Sequence, residues 1–203
     1  MTHYLDAAMK AARAAGEMLR HDFAKPQRVN ATTKHDIKLE IDVRAQDLIT
    51  ERLLAAFPQH ALYGEEGSVG DQSSEFQWVV DPLDGTVNFY YGIPHFCVSI
   101  ALRFSGEIIV GVIYDPIRDE LWAGQKGERP QLNGNNFSVS QRADLSEAVV
   151  SVDAYGTRIC SACVGSRSKG IPVEAYAARR VTAGDPDHFG GRQLLPHAAR
   201  RTR

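Results

Sequence analysis

An α+β fold with layered helices and sheet is predicted, on three observations. Two segments with helical spacing occupy the first 57 residues, apolar runs of strand length follow from residue 61, and Gly/Asn turn signals separate those runs. The chain has 203 residues, 43% of them hydrophobic and 24% charged. That is enough apolar material for one sizeable core.

The elements follow in order. Residues 2–24 carry Tyr4, Ala8, Ala11, Ala12, Ala15, Met18 and Leu19 at helical spacing, and Pro26 closes that segment. The string KHDIKLEI at 34–41 alternates polar and apolar residues, as a half-buried strand does. A second helix is expected over 43–57, stopped by Pro58. Residues 61–67, ALYGEEG, read as a strand running into a loop. Trp78 to Val80 is a brief buried strand ending abruptly at Asp81-Pro82. Residues 95–103 and 107–114 form apolar runs around the turn Ser105-Gly106. Further strands are expected at 120–123 and 137–140, with Asn133-Gly134 as a turn between them.

Composition excludes some functions. A net charge of −2 argues against non-specific nucleic-acid binding. No stretch approaches the roughly 20 apolar residues that cross a bilayer, and the N-terminus has no signal-peptide pattern, so a cytoplasmic protein is expected. Three cysteines suit a reducing compartment. Cys97 lies in an apolar run and reads as a small core residue, whereas Cys160 and Cys163 form a lone C-x-x-C lacking the second pair a zinc site needs.

The charge balance changes along the chain. Residues 1–150 hold 14 basic and 21 acidic residues, whereas 151–203 hold 9 basic and 4 acidic. The second segment is also poor in large apolar residues, so the reading is a lobe at 1–150 and an atypical, partly disordered tail at 151–203.

The chemistry is concentrated at Trp78-Val-Val-Asp81-Pro-Leu-Asp84-Gly-Thr86-Val-Asn88-Phe89. Two carboxylates straddle a proline at the end of a short apolar strand. Such a junction can aim both side chains and an intervening carbonyl at one hard cation. Gly85 and Thr86 follow at once, and their N–H groups can open a helix facing an anion. Asp-Pro and Asp-Gly are also ordinary turn pairs. Against that bland reading, apolar segments flank the loop, and a second acidic pair, Glu65-Glu66, ends another apolar strand upstream. Carboxylates at two strand ends repel one another unless a cation lies between them. Glu66 is expected to be a solvated loop residue, His95 packed or hydrogen-bonded, Asn88 a brace of the loop, and Trp78 and Phe89 core.

The G-E-E stretch at 64–66 and the W-x-x-D-P-x-D-G-T-x-N-F stretch at 78–89 resemble the inositol monophosphatase family of magnesium-dependent, lithium-sensitive phosphatases. Supporting likeness runs through Lys34-His-Asp36, Asp42, residues 111–116 and residues 119–134, so it covers roughly 1–150. The resemblance implies a layered αβαβα sandwich of the sugar-phosphatase type, with Mg2+ as cofactor and a small phosphorylated substrate. It implies Glu65, Asp81, the Leu83 carbonyl and Asp84 as metal ligands, with Asp81 bridging two ions. Thr86 paired with Asp42 would be the catalytic dyad acting on the attacking water. Gly85 and Thr86 would hold the phosphate, and Asp84 a substrate hydroxyl. A homodimer is implied as well.

The chain departs from the family late. The W-D-x-A-A-G stretch is missing; Asp185 and Asp187 are the only late candidates for its Asp, and their neighbours do not match. Truncation or a shifted frame near 155–170 is therefore expected, leaving an incomplete C-terminal lobe. Inositol 1-phosphate, fructose 1,6-bisphosphate, histidinol phosphate and a 3′-phosphoadenosine nucleotide all stay open as substrates. The alternative is a catalytically impaired remnant that acts as a binding or regulatory protein.

Overall fold

The computed structural model of the protein describes residues 2–32 and 37–141. Helix α1 (Thr2–Asp22) leads to a two-stranded ribbon, β1 (Val29–Thr32) and β2 (Ile37–Leu39), and then to α2 (Glu40–Ala56). Strands β3 (Ala61–Gly64), β4 (Gly67–Val69) and β5 (Phe76–Asp84) follow, then a five-residue helix α3 (Thr86–Tyr90). The meander is completed by β6 (Cys97–Phe104), β7 (Glu107–Asp115), β8 (Glu120–Gln125), β9 (Gln131–Leu132) and β10 (Asn135–Asn136).

Eight strands form one sheet in the order β10-β9-β8-β7-β6-β5-β3-β4. Every neighbouring pair is antiparallel except β3 and β5, which run parallel. Helices α1 and α2 pack against each other and across β5 to β8. The α1 face is built from small residues, with Ala8, Ala11, Ala12 and Ala15 fully buried, which lets the helix approach the sheet closely. Facing it, Trp78, Val98, Ile100, Leu102, Val110 and Val112 are buried at every second strand position. Each such side chain contributes about 1.5–3 kcal/mol of burial free energy. The predicted α+β class holds. Of the layered sandwich, the described residues supply one helical layer and one sheet. The tail 151–203 with Cys160, Cys163, Asp185 and Asp187, and Lys34 and Asp36, lie outside the described residues.

The unit Met1–Ser138 contains all the elements above, and Val139–Arg203 is a separate unit. No helix among the described residues is long and apolar enough to cross a membrane.

Several boundaries differ from expectation. Glu40 and Ile41 open α2 instead of ending a strand, because the Asp42 carboxylate accepts the Leu39 N–H at 2.8 Å and caps the first turn. The strand at Trp78 does not stop at Asp81-Pro82 but continues to Asp84. No strand forms at 137–140; Asn133 (φ 49°) and Gly134 (φ 77°) instead close a tight hairpin between β9 and β10.

Candidate functional site

The parallel pairing of β3 with β5 builds the site. Gly64 is in register with Val80, so Glu65 and Asp81, the next residues on each strand, emerge side by side. The ladder runs one bond further, with the Glu65 N–H donating to the Val80 carbonyl at 3.1 Å.

Asp84 joins them through a bulge. Residues three apart on a regular strand face opposite sides of a sheet. On β5, however, Asp81 pairs with Ser99 and Asp84 pairs with Cys97, so three steps on one strand match two on the other. Ser99 and Cys97 share a face, and their partners therefore do too. Pro82 sits inside the bulge, where its missing N–H removes no ladder bond. The Leu83 N–H turns back onto Asp81 Oδ1 at 3.1 Å.

Gly85 ends the strand with φ 103°, a backbone that glycine adopts without strain. A Cβ there would lie 2.9 Å from the His95 carbonyl and 3.1 Å from Phe96 Cα. The chain then enters α3, whose first N–H groups have no intrahelical acceptors. Buried Thr86 donates its hydroxyl to the Leu83 carbonyl at 3.0 Å. Asn88 braces the following loop, its Nδ2 donating to the His95 carbonyl at 2.7 Å. Trp78 and Phe89 are core, as expected. His95 is exposed, contrary to expectation, because its backbone and not its ring is what the loop uses.

The electrostatics follow from this crowding. Burial first, then the charges of Glu65 and Asp84, push the Asp81 carboxyl well above the ordinary carboxylate range. The Glu65 and Asp81 carboxyls lie within hydrogen-bonding reach of each other, and the Leu83 N–H only partly offsets the rise. Cys97, expected in the core, is half-buried and places its thiol 3.8 Å from Asp84 Oδ2. Burial and then the neighbouring carboxylates push that thiol far up, so it stays protonated.

Asp42 stands nearby in the chain's architecture. It is 3% exposed in the first turn of α2, directly after β2, against which α3 packs. Its Oδ2 holds the Leu39 N–H, while the Thr86 hydroxyl is given to Leu83.

Two supporting residues escaped the sequence reading. Gln46, 5% exposed, accepts the Glu66 N–H at 2.8 Å and donates to the Gly67 carbonyl at 3.1 Å. Lys38 lies 3.3 Å from both oxygens of Glu66, whose side chain is only 10% exposed. Glu66 is therefore an ion-paired, mostly covered residue and not a solvated one. The available signal was helical spacing: Asp42, Gln46, Ile49 and Leu53 share the buried stripe of α2, and a polar residue on such a stripe must have partners.

These donors suit a hard cation in kind. Among the described residues no three or more His, Cys, Asp or Glu side chains are grouped so as to hold a metal ion by themselves. What the described residues bring together is the Glu65 and Asp81 carboxyls, with Asp84 on the same face of β5; magnesium keeps several waters and takes only one or two carboxylates in many sites.

Known proteins share this arrangement of sequence and fold. The model of the inositol monophosphatase family matches residues 1–168, beyond the limit near 150 that the motifs suggested. The chain is 39% identical over 153 residues to the Nus factor SuhB of Pasteurella multocida, covering 74% of this chain and 57% of that protein. It is 39% identical over 159 residues to inositol monophosphatase 3 of Solanum lycopersicum, covering 76% of this chain and 59% of that one. The crystal structure of the extragenic suppressor protein SuhB from Bartonella henselae superposes with a TM-score of 0.69 at 36% identity, over 72% of this chain and 58% of that one. The chain thus spans less than two thirds of the length of these relatives. With a family match that runs through both acidic loops and well past them, the chain belongs to the inositol monophosphatase family.

Proposed function

We propose that this protein hydrolyses a small phosphate monoester, inositol 1-phosphate or a related sugar phosphate, with Mg2+ held by Glu65, Asp81, the Leu83 carbonyl and Asp84. The observation that carries the reading is the convergence of Glu65 with Asp81, reinforced by Asp84, in a crowding that a cation would relieve. Bound Mg2+ would neutralise phosphoryl charge and make water a better nucleophile near neutral pH.

The chain's own residues do the rest. The backbone N–H groups of Gly85 and Thr86 hold phosphoryl oxygens, and Asp84 also contacts a substrate hydroxyl. Thr86 and Asp42 orient the attacking water and take its proton. A hydroxyl has one hydrogen, so Thr86 can donate to Asp42 only by leaving Leu83. In-line displacement needs positioning and charge stabilisation, and no covalent intermediate. The same reading places residues 1–150 as the metal-binding lobe of a cytoplasmic homodimer, on the strength of the family resemblance.

A second reading has its own support. One relative is named a Nus factor, and the chain spans about 57% of it. On that reading the protein is catalytically impaired and acts as a binding or regulatory partner. Phosphate release from a panel of sugar phosphates, with and without Mg2+, separates the two. Mg2+-dependent release that disappears in Asp81→Asn supports the hydrolase; no release from either form supports the binding protein.

A further inference from the structure

We propose that Gln46 is the positioning residue that aims Glu65 at the cation, an inference that rests on the metal reading above. The carboxamide grips the loop immediately after Glu65. Its Oε1 accepts the Glu66 N–H at 2.8 Å, its Nε2 donates to the Gly67 carbonyl at 3.1 Å, and the group is 5% exposed. Gly64 completes the grip from beneath. A Cβ on Gly64 would sit 2.1 Å from Gln46 Oε1 and 2.4 Å from Cδ, so the amide occupies the space a side chain would take. The Glu65 N–H is itself tied to Val80 at 3.1 Å. Three consecutive residues, 64 to 66, are thus contacted by α2 on one side and β5 on the other, which restrains the backbone that carries the Glu65 side chain. Lys38 pairs with Glu66, which leaves Glu65 as the loop carboxylate turned to Asp81.

The physical reason for such a device is the exposure of Glu65. Its side chain has little packing to choose a rotamer, and its neighbour Asp81 repels it when both are ionised. Backbone restraint by a buried amide supplies the order that packing does not. The same helix stripe carries Asp42 one turn earlier, so α2 would set both the loop and the proposed dyad from one rigid element.

Mn2+ binding to the full chain, read as loss of the free-ion electron paramagnetic resonance signal at a temperature where every variant is folded, tests this. Gln46→Ala should bind Mn2+ about 10–100-fold more weakly. Gln46→Glu keeps the acceptor for Glu66 N–H and should recover part of that loss. Gly64→Ala, which evicts the amide, should mimic Gln46→Ala, and the double variant should be no weaker than either single one. Ile49→Val, on the same stripe and fully buried, should bind as the parent does. Should Gln46→Ala fail to fold, Gly64→Ala and Gln46→Glu carry the same test. If Asp81→Asn abolishes binding while the Gln46 and Gly64 variants bind within twofold of the parent, the assignment of Gln46 is overturned. It is overturned equally if Ile49→Val weakens binding as much as they do. Undiminished binding in Asp81→Asn overturns the metal reading itself.

Discussion

The Glu65 N–H donates to the Val80 carbonyl at 3.1 Å, one rung beyond the last paired residues of β3 and β5. That bond brings the carboxylates of two neighbouring strand segments side by side at the ends of parallel strands. In an antiparallel pair the same two residues would lie at opposite ends. The consequence is a local excess of negative charge at the head of the sheet.

Asp81→Asn removes the most crowded of those charges. In EDTA at neutral pH the variant is expected to melt several degrees higher than the parent, since like charges at close range are destabilising. Added Mg2+ should raise the parent's Tm and leave the variant's nearly unchanged. A variant that melts lower than the parent in EDTA would show that the Asp81 carboxylate gains more from its hydrogen bonds than it loses to charge repulsion.

Gly85→Ala places a methyl group 2.9 Å from the His95 carbonyl on a backbone with φ 103°. A loss of about 1–3 kcal/mol is expected from strain and contact together. Urea unfolding measures it. Phosphate release should fall further than stability, because the same shift displaces Thr86.

Asp22 ties the end of α1 to its surroundings, with Lys25 Nζ at 2.9 Å and Arg44 Nη1 at 3.2 Å. The Lys25 hydrogen bond, chiefly, holds its carboxyl below the ordinary 3.8. A lowered acid binds fewer protons folded than unfolded, so its stabilisation is present above 3.8 and is lost as pH falls through the folded value. The Tm difference between the parent and Asp22→Asn should therefore be largest near neutrality and shrink below pH 3.8. A difference that does not change with pH would rule out ionisation as the cause.

His60 is buried in an aromatic stack, its ring 4.7 Å from Phe76 and 5.0 Å from Phe57, with Tyr4 at 5.5 Å. Nδ1 has no hydrogen-bond partner, and burial lowers the imidazole below 6.5. The folded state therefore resists protonation, and stability present above 6.5 is lost as pH falls through the folded value. His60→Phe should remove that loss. Thermal unfolding at pH 8 and pH 5, about either side of the unperturbed imidazole value, should show a smaller drop in the variant. An equal drop in both proteins would exclude His60 as the source.

Much of this molecule was legible in one dimension. Alanine spacing specified the sheet-facing side of α1, because a helix repeats every 3.6 residues wherever it sits. Alternation marked the meander, and the acidic stretch around Asp81 stood out as a candidate site, because such residue types suit a turn or a hard cation. What those strings could not carry was register. Whether β3 joins β5 in parallel, whether a bulge returns Asp84 to the face of Asp81, and which buried amide grips the loop at Glu66 all depend on partners far away along the chain. Glu66 shows the difference most plainly: in sequence it is half of a two-residue turn between β3 and β4, but Lys38 of β2 and Gln46 of α2, brought to it by the fold, set its environment. Local physics chose the elements, and long-range packing chose which of their ends would meet.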